Sequence, residues 1–150
     1  MLCPSCGKEM KHYRADYQAR EVGLDNVVVQ DAEQWACKCG EQVVELPHGR
    51  LRSEVGRALL EKRSPLTGPE IRFLRKAMAL KGVELARLMG VNEATLYRWE
   101  SGDKPISAVS DRLLRLLYAA RKDIKAKRLS ERFAEIGPAP EQATPHVIAV

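Results

Sequence analysis

Apolar residues recur with a helical period over most of the chain after residue 48. Leu51, Val55 and Leu59 lie four apart, with Leu60 beside them and Arg, Glu and Lys on the other face. That spacing predicts an amphipathic helix from about His48 to Lys62. The next helix starts at Thr67, where Thr67-Gly68-Pro69-Glu70 has capping-box spacing and proline falls in the first turn. Ile71, Leu74 and Met78 are its expected buried stripe. Leu80 to Gly102 then reads as two short helices around a tight turn. The first runs from about Val83 to Met89 and ends at Gly90. The second runs from about Glu93 to Ser101, capped by Asn92 and stopped by Gly102. On this second helix Leu96 and Trp99 face inward, leaving Ala94, Thr95, Tyr97, Arg98 and Ser101 free to lie outward. Val109, Leu113, Leu116, Leu117 and Ala120 predict a wide apolar stripe on a helix over 107–121, with Ser107 as a cap. Lys122 to Ile136 is expected as one further helix, with Gly137 as its stop.

The helical period is absent before residue 48. Lys11 to Gln18, Asn26 to Gln30 and Val43 to Leu46 are expected strands, and Gly23 with Asp25-Asn26 marks a turn. So few strands bury little, and a staple is expected. All four cysteines lie here, as two close pairs, Cys3/Cys6 and Cys37/Cys39. Such spacing reads as a closed four-thiolate site for one structural zinc ion, Zn2+. The second pair is C-x-C, one residue shorter than usual. His12 and His48 are weaker substitutes, since a lone histidine is more often a surface residue. A redox pair or structural disulfides fit less well: no βαβ context surrounds the C-x-x-C, and a cytoplasmic chain keeps thiols reduced.

Composition is ordinary for a globular protein, with 45% hydrophobic and 30% charged residues. The charge is unevenly spread. Residues 1–64 carry 10 Lys/Arg and 10 Asp/Glu, whereas residues 65–150 carry 15 and 10, which is the whole net charge of +5. Cationic surface on that half suits phosphate binding. Two helices around a glycine-containing turn are a helix-turn-helix pattern, whose second helix enters a DNA major groove. Arg98 is the sharpest base-reading candidate, because a guanidinium can bond two acceptors on one guanine edge. Thr95 and Tyr97 can assist, and Lys104 is a candidate phosphate contact. No apolar run of membrane-spanning length and no secretory leader are apparent, so a cytoplasmic location is expected.

The run ELARLMGVNEATLYRWESGDKPIS resembles the Xre/Cro-type helix-turn-helix family, over about Pro69 to Leu117. The resemblance implies that Glu100, the acid before the closing Ser101-Gly102, pairs with Arg75. The family's usual glutamine at the start of its second helix is here Gly82. The CPxCG of Cys3–Gly7, with Cys37-Lys38-Cys39-Gly40-Glu41 some 30 residues later, resembles the YgiT-type zinc finger. Joined, the two halves to about Ile136 resemble the MqsA antitoxin family. That resemblance implies a zinc domain that binds an RNA-cleaving toxin, and a C-terminal domain that dimerises and represses the operon. It matches the family's DNA-reading arginine to Arg98 and puts Ala94 where the family has a base-reading asparagine.

The expected architecture is α+β in two domains. Residues 1–64 form a small zinc-bound β domain with a connecting helix, bounded at Arg63-Ser64-Pro65-Leu66. Residues 65–137 form an all-α helix-turn-helix bundle that binds operator DNA, and part of the stripe on 107–121 makes a homodimer interface. Residues 138–150 are an expected disordered tail, although Val147 to Val150 is apolar enough to dock on a partner. The expected function is a repressor acting as the antitoxin of a type II toxin–antitoxin pair. A stand-alone zinc-containing regulator without a toxin is the alternative. An enzyme is disfavoured, since no general base accompanies an accessible nucleophile.

Overall fold

The structure, a computed structural model, describes residues 1–142 and 144–149. Among these, four strands and six α-helices follow in the order β1 (Lys11–Gln18), β2 (Val27–Ala36), β3 (Gln42–Val44), α1 (His48–Glu61), α2 (Gly68–Ala77), α3 (Gly82–Met89), α4 (Glu93–Ser101), α5 (Ala108–Arg121), α6 (Ala126–Arg132) and β4 (His146–Ala149). The class is α+β.

β2 organises the sheet. β1 pairs antiparallel along one of its edges, and the other edge is shared by antiparallel β3 and parallel β4. Inward positions along β2 are Val27 and Val29, then Ala32 and Gln34. The parity changes because an extra residue bulges between them: Asp31 has φ +53°, and its N–H donates to Asp16 Oδ1 at 3.0 Å. A bulge re-aims the following side chains. Without it Ala32 and Gln34 would face solvent. Gln34, buried and polar, is satisfied at both ends by Tyr13 Oη and the Ala15 carbonyl.

Most of the sheet and the helices share one hydrophobic core. It runs from Val27, Val29 and Ala32 through Leu51, Val55 and Leu59 to Ile71, Leu74, Leu85, Leu96, Leu114 and Tyr118. A second, small cluster holds Cys3, Met10 and Cys37, with Trp35 and Val43 against it. Where α1 gives way to α2, Arg115 of α5 reaches in. Its guanidinium donates to the carbonyls of Leu60, Lys62 and Ser64, which are free at the end of a helix. Asp111 sits 2.7 Å from Arg115 Nε and also accepts the Leu66 N–H. The buried guanidinium is thus compensated by three carbonyls and a carboxylate, although its Nε and Asp111 Oδ1 meet as an ion pair and not as an aligned hydrogen bond.

Three expectations on the C-terminal half are corrected. The stripe on 107–121 is displaced: the inward residues of α5 are Asp111, Leu114, Arg115, Tyr118 and Ala119. Leu113, Leu116 and Leu117 are half-buried at its margin, and Val109 is 76% exposed. The buried ion pair took the place in the helical period that an all-apolar stripe would hold. The helix expected over 122–136 is broken, because Asp123 adopts φ +54° and α6 spans only seven residues before a 3-10 turn at Phe133–Glu135. The tail expected to be disordered instead forms β4. Ile148 is buried, and His146 is held by its backbone to Asn26 and by its ring to Glu70. Ala143 and Val150, which belong to that expectation, lie outside the described residues.

Candidate metal centre and candidate nucleic-acid interface

The four cysteines come from two turns of matched design. In the first, the Cys3 N–H donates to the Lys8 carbonyl and the Gly7 N–H to the Cys3 carbonyl. In the second, the Cys37 N–H donates to the Glu41 carbonyl and the Gly40 N–H to the Cys37 carbonyl. The same closure is made with one residue fewer, which is how C-x-C serves where C-x-x-C is usual. Ser5 Oγ donates to Glu41 Oε2 at 2.6 Å and ties the two turns together.

The sulfurs converge. Cys3 Sγ lies 3.6 Å from Cys39 Sγ and Cys6 Sγ 3.5 Å from Cys37 Sγ, and all four lie within 4.8 Å of one another. Bonds of about 2.3 Å to a tetrahedral ion put ligand sulfurs about 3.8 Å apart, so the cluster has the size of such a site. Backbone amides aim at the sulfurs two residues back. The Cys39 amide, followed by the Cys39 thiol, draws Cys37 down to about 7. The Lys8 amide favours the Cys6 thiolate, but the neighbouring Cys37 and Cys39 outweigh it and push Cys6 up to about 12. The Cys37 thiol is thus favoured as a thiolate and the Cys6 thiol disfavoured, and a bound cation would favour the thiolate form of every cysteine in the cluster. The cluster can hold one metal ion with no position left open. His12 and His48 are not in it: His12 pairs with Glu33 and packs on Trp35, and His48 is exposed.

The second candidate surface is α4. Asn92 caps it, accepting the Thr95 N–H at 2.7 Å, and Gly90, at φ +69°, makes the turn from α3. Leu96 and Trp99 are buried. Outward lie Asn92, Ala94, Arg98 and Ser101, with Tyr97 64% exposed and Thr95 half-buried. The Lys104 N–H donates to the Arg98 carbonyl at 3.2 Å, so exposed Lys104 follows directly on the end of α4.

The helix is anchored from behind. Arg75 Nε and Nη2 donate to the two oxygens of Glu100 at 2.6 and 3.1 Å, and Arg75 Nη1 donates to the Leu80 carbonyl. This bidentate pair fixes α4 against α2 and the loop before α3. Gly68 lets α2 begin hard against the end of α4, where a Cβ would stand 2.4 Å from the Glu100 carbonyl oxygen. Arg72 also reaches Glu100, at 3.4 Å. Sequence reasoning missed Arg72, whose place one turn before Arg75 was the available signal. It also missed the cluster at the tail. Glu70 is buried between Lys62 and His146. Burial alone would raise its carboxyl, but hydrogen bonds from His146, Lys62 and the Thr67 amide outweigh that and hold it down to about 2.

The chain matches no known family model, no curated protein and no solved structure. Among the described residues no helix is long and apolar enough to cross a membrane.

Proposed function

We propose that this protein is a DNA-binding repressor whose α3–turn–α4 unit is a helix-turn-helix and whose metal-centred end captures a toxin, making it an antitoxin. The observation that carries the DNA half is α4 itself. Its outer face is open and polar with Arg98 exposed, while its inner face is locked by Leu96, Trp99 and the Arg75–Glu100 pair. A reading helix must hold its side chains in a fixed frame. Arg98 reads a base; Thr95 and Tyr97 contact bases or phosphates; Asn92, Ala94 and Lys104 line the approach to the backbone. The excess positive charge in residues 65–150 supports this assignment. Two copies place two reading helices on a twofold operator, and the half-buried Leu113, Leu116 and Leu117 offer apolar surface for the pairing.

The metal is zinc in this reading. Four thiolates in a closed tetrahedral set favour it, and its role is structural. The resemblance of the cysteine turns to the YgiT-type finger supports toxin capture by residues 1–64, with the protein resident in the cytoplasm. Co-expression with the product of the neighbouring gene tests this. Wild type should retain that product on an affinity column, Arg98→Ala should retain it but lose the operator, and Cys6→Ser/Cys37→Ser should lose it. A protein that shifts its own promoter yet holds no neighbour refutes the antitoxin half and leaves a stand-alone regulator.

A further inference from the structure

A groove of about 630 Å³ runs between α1, α6 and β4, away from the cysteines and from α4. Leu60, Leu129 and Ile148, all buried, form its floor, and Val147, 53% exposed, adds an apolar edge. Around this floor stand Arg57, Lys125, Arg128 and Arg132, all exposed, against two acids, Glu54 and Glu61. Glu61 is already engaged by Arg132 at 3.4 Å. The rim therefore keeps an unbalanced positive charge over an apolar bed.

We propose that this groove docks an amphipathic helix of a protein partner, with apolar residues on one face and glutamate or aspartate flanking them. Two features choose this occupant. The apolar floor gives nothing to a phosphate–sugar backbone, which wants donors along its whole length. A helix laid in a groove presents apolar anchors at i, i+3, i+4 and i+7, and its flanking acids meet the cationic rim. The groove lies on elements that the DNA-reading and metal-binding assignments leave unused, so it stands whether or not those hold. Because β4 supplies Val147 and Ile148, the site exists only while the tail is seated.

The test is a titration of the full-length protein with a fluorescein-labelled 14-residue Leu/Glu amphipathic helix, read by anisotropy and by amide shift mapping. The comparison probes are a scrambled peptide of the same composition, a Leu/Lys counterpart, and a 20-base-pair duplex of random sequence. The expected result is saturable binding, shifts confined to α1, α6 and β4, and at least tenfold weaker binding of the scrambled and Lys peptides. Arg57→Glu with Arg128→Glu should weaken the acidic helix at least tenfold, and Val147→Asp several-fold. All three positions are exposed, and unchanged circular dichroism would show that the variants fold. The proposal fails if the scrambled peptide binds equally, if the charge reversals change nothing, or if the groove's shifts arise with the duplex and not with the peptide.

Discussion

Three buried or half-buried polar side chains each make a separate prediction. Glu100 takes both arms of Arg75 with only 7% of its side chain exposed. Removing it strands a guanidinium that is itself largely buried. Glu100→Ala should therefore destabilise the fold by about 3 kcal/mol, seen in urea unfolding. Glu70 makes a pH prediction. Its folded carboxyl titrates near 2, below the ordinary value of 4.5, so the unfolded state takes up its proton first as pH falls. The stabilisation is complete above about pH 5 and is lost progressively between pH 4.5 and 2. Thermal melts of Glu70→Gln should lack that part of the acid dependence; an unchanged slope would refute the assignment. His146→Ala removes one of three donors to the same carboxylate and should cost on the order of 1–2 kcal/mol at neutral pH.

Among the elements, the four-cysteine cluster predicts a partial collapse on metal removal. A strong chelator should release the two cysteine turns, because beyond the ion only the Ser5–Glu41 hydrogen bond and a small apolar cluster hold them to each other. Val27, Val29 and Ala32 belong to the same core as the helices, so that end of the sheet should survive. Hydrogen exchange should show protection lost near residues 1–10 and 35–44 and kept in α1 to α5; global unfolding would contradict it. From sequence alone, strands so few that they bury little point instead to loss of the whole N-terminal fold without its metal.

Legibility followed the kind of interaction at each element. Helices α1 to α4 were readable nearly to their ends, since caps such as Asn92 and Gly90 and stripes such as Leu51–Val55–Leu59 are local signals. The four cysteines were readable from spacing. The inward face of α5 was not, because Asp111 and Arg115 look like solvated residues until Leu60, Lys62 and Ser64 supply their partners from 50 residues away. β4 was hidden for the same reason: four residues after a proline-rich stretch become a strand only because the edge of β2 is vacant beyond β3.

In the whole molecule, different work is proposed for different surfaces: the cysteine turns at one end of the sheet, α4 on the helical side, and the cationic groove beside the tail. Their common support is the core shared by sheet and helices. Of these, α4 is proposed to read DNA through Arg98. The most direct measurement is the affinity of wild type and Arg98→Ala for a duplex from the protein's own promoter and for a random duplex, across a salt series. A bidentate arginine–guanine contact is worth about 1–3 kcal/mol of discrimination, so Arg98→Ala should bind the promoter about 5- to 150-fold more weakly and the random duplex nearly as before. Lys104→Ala should weaken both duplexes and lower the salt slope by about one. If wild type does not distinguish the two duplexes, or if Arg98→Ala distinguishes them as well as wild type does, α4 is not the reading helix.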